Sequence, residues 1–324
     1  MHHPPGRRRP YFEGWYYKLV NQDESQRFAI IPGVFFGETP EQDHAFVQLL
    51  DGQSARVTFE HYPIDQFWAS DRVFDIRIGP NRFSADQLVV DIPGGERSLQ
   101  GELNFEHLTS WPVSLLSPGI MGWYAWVPFM QCNHGIVSLD HSIQGSLEID
   151  AVPIDFSGGR GYTEKDWGDS FPDAWIWTQT NHFDQPGSCL TASIAIIPWV
   201  GSAFPGFIIG LWHAGVLHRF TTYSGGKVEA LSPGETHVDW VVRNRSHRLA
   251  LRIQRAHSFG VFAPTRSDMS GRVAESMDAC VSVQLSALDG KKEQRLFEGS
   301  GRNAGLEVVG DIERLVNLWN KARK

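Results

Sequence analysis

A carboxylate within a run of aromatic residues is the first feature of this chain that could do chemistry. The segment YFEGWYYK extends from Tyr11 to Lys18. Because side chains alternate along a β-strand, Tyr11, Glu13, Trp15 and Tyr17 would share one face. A carboxyl group among rings loses hydration, and desolvation raises the pKa of such a group. The pattern therefore predicts a proton donor that works near neutral pH.

A second segment, GYTEKDWGDSFPDAWIWTQTNHF, repeats this chemistry between Gly161 and Phe183. Read as a strand, its first part places Tyr162, Glu164 and Asp166 on one face. Its later part places rings and amides on another face: Trp175, Trp177, Gln179 and Asn181. We interpret the two segments as the lining of one apolar pocket, with acids and amides at its floor.

A purely structural role would explain the same residues without a ligand. Glu13, Glu164 and Asp166 would then be carboxylates paired with a nearby cation, either Lys165, Arg160 or Lys18. The tryptophans would then be large core residues, and residue type alone favours this interpretation. The chain has 12 Trp, many of them next to acids, amides and glycines. Rings beside polar groups suit an amphipathic aromatic ligand, which shifts the balance towards a binding pocket.

Length and charge limit the possible classes of protein. A chain of 324 residues predicts two domains or one large β-domain. With 29 Lys and Arg against 37 Asp and Glu, the net charge is -8, so no nucleic-acid partner is expected. The three cysteines lack a CxxC spacing, which is typical of a reducing compartment. Residues 1–10 have no apolar core like that of a signal peptide, and we therefore expect a cytoplasmic location.

Motifs for cofactors and metals are missing from the sequence. The glycine-rich turns SGGRG and YSGGK lack the features of a phosphate-binding loop, and no GxSxG is present. There is no HExxH, and the spacings of His134 with His141 and of His213 with His218 match no common ligand pattern. We therefore predict neither a cofactor nor a metal.

Short strands separated by turn residues account for nearly the whole chain. This spacing predicts an all-β protein of two β-barrel or sandwich domains, residues 1–157 and 158–324, divided at the glycine-rich turn Ser157–Gly161. The end differs, because DIERLVNLWNKARK carries apolar residues at helical spacing: Ile312, Leu315, Val316 and Trp319. One amphipathic helix packed on the sheet is expected there.

Two long segments contain no Asp, Glu, Lys or Arg: Thr109–Leu139 and Gln185–Leu217. Each is long enough to cross a bilayer, but the prolines within them argue against a transmembrane helix. The second segment predicts two strands joined by an exposed apolar loop, Pro198–Gly206. This loop is either an ordinary connection or a portal that touches a membrane to collect a lipid-like substrate.

The two aromatic segments also resemble the signature blocks of the tocopherol cyclase family, roughly FFEGWYFK and YSEKNWGxxFPxxWxWxQxN. A third stretch, FAPTRSDMSGRVAESMDACVSVQL, is similar to the closing segment of that family. The likeness extends from about Tyr11 to Gly310. It implies a lipocalin-like architecture of two β-barrel domains around an apolar cleft. It also implies cofactor-free closure of a chromanol ring on a prenylated hydroquinone.

The resemblance carries residue roles onto this chain. It implies Glu13 or Glu164 as the acid that protonates the alkene, with Asp166, which stands where the family pattern has Asn, as a third candidate. Lys165 would face away on the opposite side of its strand. The other matched or neighbouring positions would bind the substrate, with indole rings shielding a carbocation and amides bonding the quinol hydroxyls: Trp15, Tyr16, Tyr162, Trp167, Trp175, Trp177, Gln179 and Asn181.

Three functional hypotheses follow, all with a hydrophobic small molecule as the partner. The first is a cyclase acting on a prenylated quinol or similar terpenoid. The second is a non-catalytic binder or carrier of apolar molecules. The third is hydration of an isolated alkene, in which an ordered water replaces the substrate hydroxyl.

Overall fold

The computed structural model describes residues 9–94, 97–265, 268–290 and 292–322. Strands make up most of these residues, and a single α-helix follows the last strand. The sequence predicted that residues 1–10 have no apolar core like that of a signal peptide. Residues 1–8 of this segment lie outside the described part of the chain.

Within the described residues, the first sheet contains 12 strands and is antiparallel. Their bounds are β1 Tyr11–Val20, β2 Arg27–Phe36, β3 His44–Asp51, β4 Val57–Pro63, β5 Phe67–Ala69, β6 Asp75–Ile78, β7 Asn81–Ser84, β8 Gln87–Ile92, β9 Leu99–Glu106, β10 Cys132–Ile149, β11 Val152–Asp155 and β12 Arg160–Gly168. The order across the sheet is β4-β3-β2-β1-β12-β10-β9-β8-β7-β6-β5, and β11 pairs with β10. The two aromatic-acid strands β1 and β12 are thus neighbours at its centre.

The second sheet contains 11 strands among the residues described. Their bounds are β13 Ala174–Thr180, β14 His182–Phe183, β15 Cys189–Trp199, β16 Ser202–His213, β17 Val216–Thr221, β18 Lys227–Pro233, β19 His237–Arg243, β20 His247–Gln254, β21 Phe259–Ala263, β22 Gly271–Asp289 and β23 Lys292–Gly310. The order is β17-β16-β15-β13-β23-β22-β20-β19-β18, with β14 on β23 and β21 on β22. Short 3-10 helices lie at Pro40–Gln42, Ile64–Gln66, Gly122–Trp126 and Thr222–Ser224.

The chain divides into two compact units at a different place from the predicted boundary. The first unit contains residues 9–121, Pro128–Phe171 and Gly260–Arg272, and the second contains the remainder of the described chain. The turn Ser157–Gly161 joins β11 to β12, which both belong to the first sheet. A glycine-rich turn between two strands of one sheet has the same composition as a linker, so composition alone could not separate them.

Each unit has its own apolar core. In the first unit, alternate residues of β1 point inward, and Trp15, Tyr17 and Leu19 join a cluster with side chains of the neighbouring strands. In the second unit, Ala174 and Ile176 of β13 pack in the same way with residues of the other strands of its sheet. The predicted all-β architecture of two sheets is therefore confirmed.

The predicted C-terminal helix is also confirmed, as α1, Ile312–Ala322. Asp311 caps it by accepting a hydrogen bond from the Arg314 amide at 2.9 Å. Leu315 and Trp319 are buried in the core of the second unit. Across the ranges described, every helix is too short or too polar to pass through a bilayer.

The predicted loop Pro198–Gly206 is mostly strand. β15 and β16 stay paired up to Trp199 and Ser202, so that only Val200 and Gly201 form the turn. Both turn residues have positive φ, at 33° and 75°, the conformation that suits a two-residue hairpin turn. Pro198 of β15 lies beyond the residues that pair with β13, and Pro205 of β16 lies beyond those that pair with β17. At these positions each strand needs hydrogen bonds on only one edge.

A close approach between β12 and β10 depends on glycine. His141 is buried, its ring lies 4.6 Å from the Phe105 ring, and burial lowers the pKa of His141 to about 3. A Cβ atom on Gly161 would lie 2.2 Å from the His141 Nε2 atom. In the adjacent strand, a Cβ atom on Gly14 would have no neighbour closer than 3.9 Å. Gly161 is thus required by packing, and Gly14 is not.

We expect Gly161→Ala to lower the free energy of unfolding by about 1–3 kcal/mol, because the buried imidazole must move. Gly14→Ala in the neighbouring strand is the matched control and should change it by less than about 0.5 kcal/mol. Urea denaturation followed by circular dichroism measures both variants. Equal stability of the two variants would contradict the packing argument.

Candidate active site

The pairing of β12 with its two neighbours divides the predicted site residues between two faces of the first sheet. Residues directly opposite each other in an antiparallel pair share a face. Trp15 is opposite Lys165, and Glu13 is opposite Trp167. On the other face of the sheet, Tyr16 is opposite Glu164 and Lys18 is opposite Tyr162. Glu13 and Glu164, which we expected at the floor of one pocket, therefore lie on opposite faces of the same sheet.

The first face holds a buried ion pair. Glu13 has no solvent exposure, and its Oε1 atom forms a salt bridge with Lys165 Nζ. Tyr11 donates its hydroxyl to Glu13 Oε2 at 3.0 Å. Lys165 Nζ lies 5.3 Å from the centre of the Trp15 ring and 4.7 Å from that of Trp167. The Lys165 ammonium is thus enclosed by one carboxylate and two indole faces.

These contacts assign Glu13 to charge compensation. Burial lowers the pKa of Lys165, while the attraction of Glu13 acts in the opposite direction. Burial also raises the pKa of Tyr11, and the Glu13 charge adds to that shift, so the phenol stays a donor. A carboxylate that accepts from both a phenol and an ammonium acts as a fixed counter-ion. The prediction that Lys165 faces away from Glu164 agrees with this register.

The second face holds a chain of hydrogen-bonding groups around Glu164. Tyr162 donates its hydroxyl to Glu164 Oε2. The same oxygen lies 3.6 Å from His134 Nε2, and Asp166 Oδ1 lies 2.9 Å from His134 Nδ1. An ionised Asp166 requires a proton on Nδ1, so Nε2 of the neutral ring is free of a proton and faces Glu164. The 3.6 Å between Glu164 Oε2 and His134 Nε2 is longer than a hydrogen bond, so the two groups must move closer before a proton can pass between them.

His134 is a candidate site residue that the sequence did not indicate. It lies on β10, opposite Asp166 in β12, and Ile136 lies opposite Glu164. The pairing of β10 with β12 contains register shifts after Ile136 and after Ser138. Alternation along β10 is enough to predict the face on which His134 lies. The residue of β12 that it faces depends on the register of the β10–β12 pair, and this register is interrupted.

The same three residues form a donor set that could hold a metal ion. The ligand atoms of His134, Glu164 and Asp166 lie within 4.8 Å of one another. The absence of a metal was predicted from sequence spacing, which does not register groups brought together by strand pairing. However, Asp166 and Glu164 face different nitrogens of one imidazole ring, and one ring offers a metal only one of them. The geometry suits a proton relay better than a three-ligand metal site.

The second unit contains the rings and amides of the later segment on β13. Trp175, Trp177 and Gln179 alternate along β13 with residues that include Ala174 and Ile176 of the core, and Asn181 directly follows the strand. Trp175 donates its Nε1 proton to Glu307 Oε2 at 2.5 Å. Gln179 and Asn181 are buried.

Two acids of the second unit were not predicted. Glu307 of β23 is directly opposite Trp177 of β13 on one side and Glu275 of β22 on the other. Glu275 is buried, and Glu307, opposite it in the sheet, accepts the hydrogen bond from Trp175. Glu307 lies in no motif that the sequence singled out. Glu275 lies in the stretch FAPTRSDMSGRVAESMDACVSVQL but was not predicted as a site residue. Tertiary pairing alone brings them to β13.

The folded chain has a lipocalin-like architecture, which a solved structure also indicates. The crystal structure of CghA with Sch210972 superimposes with a TM-score of 0.54, covering 93% of this chain and 89% of that chain at 11% identity. At that identity the likeness concerns the fold alone.

The sequence comparisons define the family. The model of the family described as tocopherol cyclase-like matches residues 87–310, and the chain belongs to this family. The predicted family is thus confirmed, and the match includes the second signature segment and the closing stretch but not the first segment, Tyr11–Lys18. Chloroplastic tocopherol cyclase of Zea mays is 26% identical over 211 residues, and a probable chloroplastic tocopherol cyclase of Oryza sativa subsp. japonica is 26% identical over 199 residues. Each match covers 58% of this chain and only 41% or 42% of the length of the plant protein.

We expect Glu13→Gln to lower the free energy of unfolding by about 3–5 kcal/mol at neutral pH, because it leaves the Lys165 ammonium buried without its counter-ion. Replacing the pair together, as Glu13→Gln with Lys165→Met, should recover most of this loss. Urea denaturation of the two single variants and the double variant gives the coupling energy. Glu148→Gln, at an exposed position of β10, is the control and should leave stability unchanged.

The Glu13→Gln penalty should also depend on pH. A buried lysine whose folded pKa lies below its unfolded pKa binds fewer protons when folded, so stability rises with pH between these two values. The penalty should therefore shrink as the pH rises through the lowered pKa of Lys165. A penalty that is the same at neutral and alkaline pH would contradict a charged, buried Lys165.

Proposed function

We propose that this protein is an acid-catalysed cyclase that closes a chromanol ring on a prenylated hydroquinone, with Glu164 as the proton donor. The observation that carries the proposal is the chain of contacts from Tyr162 through Glu164 and His134 to Asp166. Membership of the tocopherol cyclase-like family supports the class of reaction. The identity of the substrate is part of the proposal.

The reaction is an isomerisation, and its proton is returned. The Glu164 carboxyl gives its proton to one carbon of the tail alkene, so that a C–H bond forms and the π bond breaks. The phenolic oxygen of the quinol then forms a C–O bond with the resulting tertiary cation. Its proton leaves and restores the Glu164 carboxyl. No electrons are gained or lost, and the chemistry therefore requires no redox cofactor.

Glu164 is favoured over the other two predicted acids by its surroundings. Glu13 is paired with Lys165, and a carboxylate held by an ammonium is a poor proton donor. Asp166 is more exposed than Glu164 and is hydrogen-bonded to His134. Glu164 is almost fully buried and has a hydroxyl donor and an imidazole beside it. We assign the proton transfer to Glu164 and the orientation of the imidazole to Asp166.

Aromatic residues contribute by stabilising positive charge and excluding water. A desolvated ring face stabilises a cation by up to about 2 kcal/mol. Trp15 and Trp167 flank the Lys165 ammonium on the face opposite Glu164, so they stabilise that charge and not a cation formed beside Glu164. For the second unit by itself, we propose Trp175 and Trp177 as apolar contacts for a bound ligand. The buried amides there, Gln179 and Asn181, are proposed as hydrogen-bonding partners of hydroxyl groups, and Tyr16 remains a proposed contact on the face of Glu164.

We expect Glu164→Gln to lower turnover of a prenylated quinol by about 10²- to 10⁴-fold, the usual contribution of a positioned acid. The amide keeps the size of the side chain but cannot supply the proton. Product formation is measured by liquid chromatography with mass spectrometry, and ligand affinity by calorimetry. Cyclisation leaves the mass unchanged, whereas a product heavier by one water would indicate an alkene hydratase.

The controls separate catalysis from binding and stability. Glu148→Gln on the same sheet should retain full turnover. The double variant Glu13→Gln with Lys165→Met should also retain most of its turnover, because its acid is intact. Ligand binding without turnover in the unmodified protein would indicate a carrier. Full activity of Glu164→Gln would remove Glu164 as the acid.

We expect His134→Asn to lower turnover by about 10- to 100-fold with little change in KM. The Asn amide can replace Nδ1 as the donor to Asp166 but offers no group at the position of Nε2, so the proton exchange with Glu164 is lost. Steady-state kinetics measures this effect. His134→Gln, which reaches towards the position of Nε2, is the matched variant. If both variants keep full turnover, His134 has no part in the reaction.

A further inference from the structure

Four aromatic residues of the second unit form a cluster at the end of the β15–β16 hairpin. This aromatic cluster consists of Trp123, Tyr124, Trp199 and Phe204. Trp123 and Tyr124 stack with ring centres 4.1 Å apart, and Tyr124 lies 5.7 Å from Trp199 and 6.0 Å from Phe204. Trp199 and Phe204 lie 5.9 Å apart. The four rings thus contact one another as one group.

The cluster is partly exposed to solvent, since Tyr124, Trp199 and Phe204 are half-buried and Trp123 is exposed. Trp123 is 46% exposed, and Trp126 of the same 3-10 helix is 63% exposed. Val200, at the turn of the hairpin, is 81% exposed. Contact of a tryptophan or valine side chain with water is unfavourable, and these residues lie outside the core. Their position suggests a surface that is covered in use.

The cluster joins the two uncharged segments of the chain. Trp123 and Tyr124 come from Thr109–Leu139, whereas Trp199 and Phe204 come from Gln185–Leu217. Neither segment contains Asp, Glu, Lys or Arg. The sequence showed each segment separately, and only the folded chain combines their rings. A surface built from uncharged segments has no ionic attraction of its own for a charged partner.

We propose that the aromatic cluster docks onto the surface of a lipid bilayer with zwitterionic headgroups. Trp and Tyr rings favour the boundary between headgroups and acyl chains, because their apolar bodies and polar edges match it. Val200 would enter first, and the cluster would follow at headgroup depth. The proposal does not depend on the proposed function, although a bilayer is also where an apolar substrate dissolves.

A protein partner fits this surface less well. A stable protein interface usually buries about 800 Å² on each side and has a polar rim with hydrogen bonds. The end of the hairpin consists of a two-residue turn and a few aromatic rings. The two segments that form this surface contain no charged residues. Insertion into a bilayer requires neither a large flat area nor specific hydrogen bonds.

The test is flotation of the purified full-length protein with phosphatidylcholine vesicles, comparing Val200→Asp with Val152→Asp. Both valines are exposed and lie at hairpin turns, with Val152 at 58% exposure on the first sheet. Asp tolerates positive φ, so the change at Val200 adds little backbone strain. We expect the unmodified protein and Val152→Asp to float equally, and Val200→Asp to bind roughly tenfold more weakly.

Three outcomes would overturn the proposal. They are no flotation of the unmodified protein, equal binding of the two variants, and binding only when anionic lipid is added. Light scattering adds a fourth, since loss of a dimer in Val200→Asp without vesicle binding would assign the surface to a second copy of the chain. Turnover of detergent-dispersed substrate should be the same in both variants, so a failure here is distinct from a failure of the proposed cyclase.

Discussion

The antiparallel pairing of β12 between β1 and β10 is the constraint on which the rest of the first unit depends. Side chains alternate between the two faces of a sheet, so this pairing decides which groups can meet. It brings Glu13 to Lys165 on one face, and His134 to Glu164 and Asp166 on the other. A slip of one residue in β12 would exchange the two faces. The register of these strands therefore determines which charged groups lie together.

The buried ion pair makes that register specific. Removing a carboxylate and an ammonium from water costs several kcal/mol for each ion, and only a close partner offsets it. If β12 moved by one residue, Lys165 would leave Glu13, and both charges would remain buried without compensation. Two indole rings and the Tyr11 hydroxyl complete the surroundings of the pair. The ion pair thus destabilises the shifted strand register more than it stabilises the native register.

The two faces of the sheet hold different sets of charged groups. On the first face, the Glu13 carboxylate favours the charged form of Lys165, although burial lowers the pKa of Lys165. On the second face, the His134 imidazole lies between two carboxyl groups, 3.6 Å from Glu164 and 2.9 Å from Asp166. The second unit repeats the combination of indole with carboxylate, since Glu307 accepts a hydrogen bond from Trp175 and lies opposite Glu275. Acids next to tryptophan are thus a property of both units.

The sequence by itself determined the β-class, the C-terminal helix, the family and the strand faces, because alternation and motif depend only on neighbours along the chain. The alternation that grouped Tyr162 with Glu164 and Asp166, and set Lys165 apart, holds in the structure. Tertiary structure decided that Glu13 and Glu164 lie on opposite faces, that His134 joins Glu164, and that two uncharged segments share one aromatic cluster. It also decided that Ser157–Gly161 is a turn within one sheet. These facts depend on register between strands distant in sequence, where bulges and the compensation of buried charge select one pairing among several that the local pattern allows.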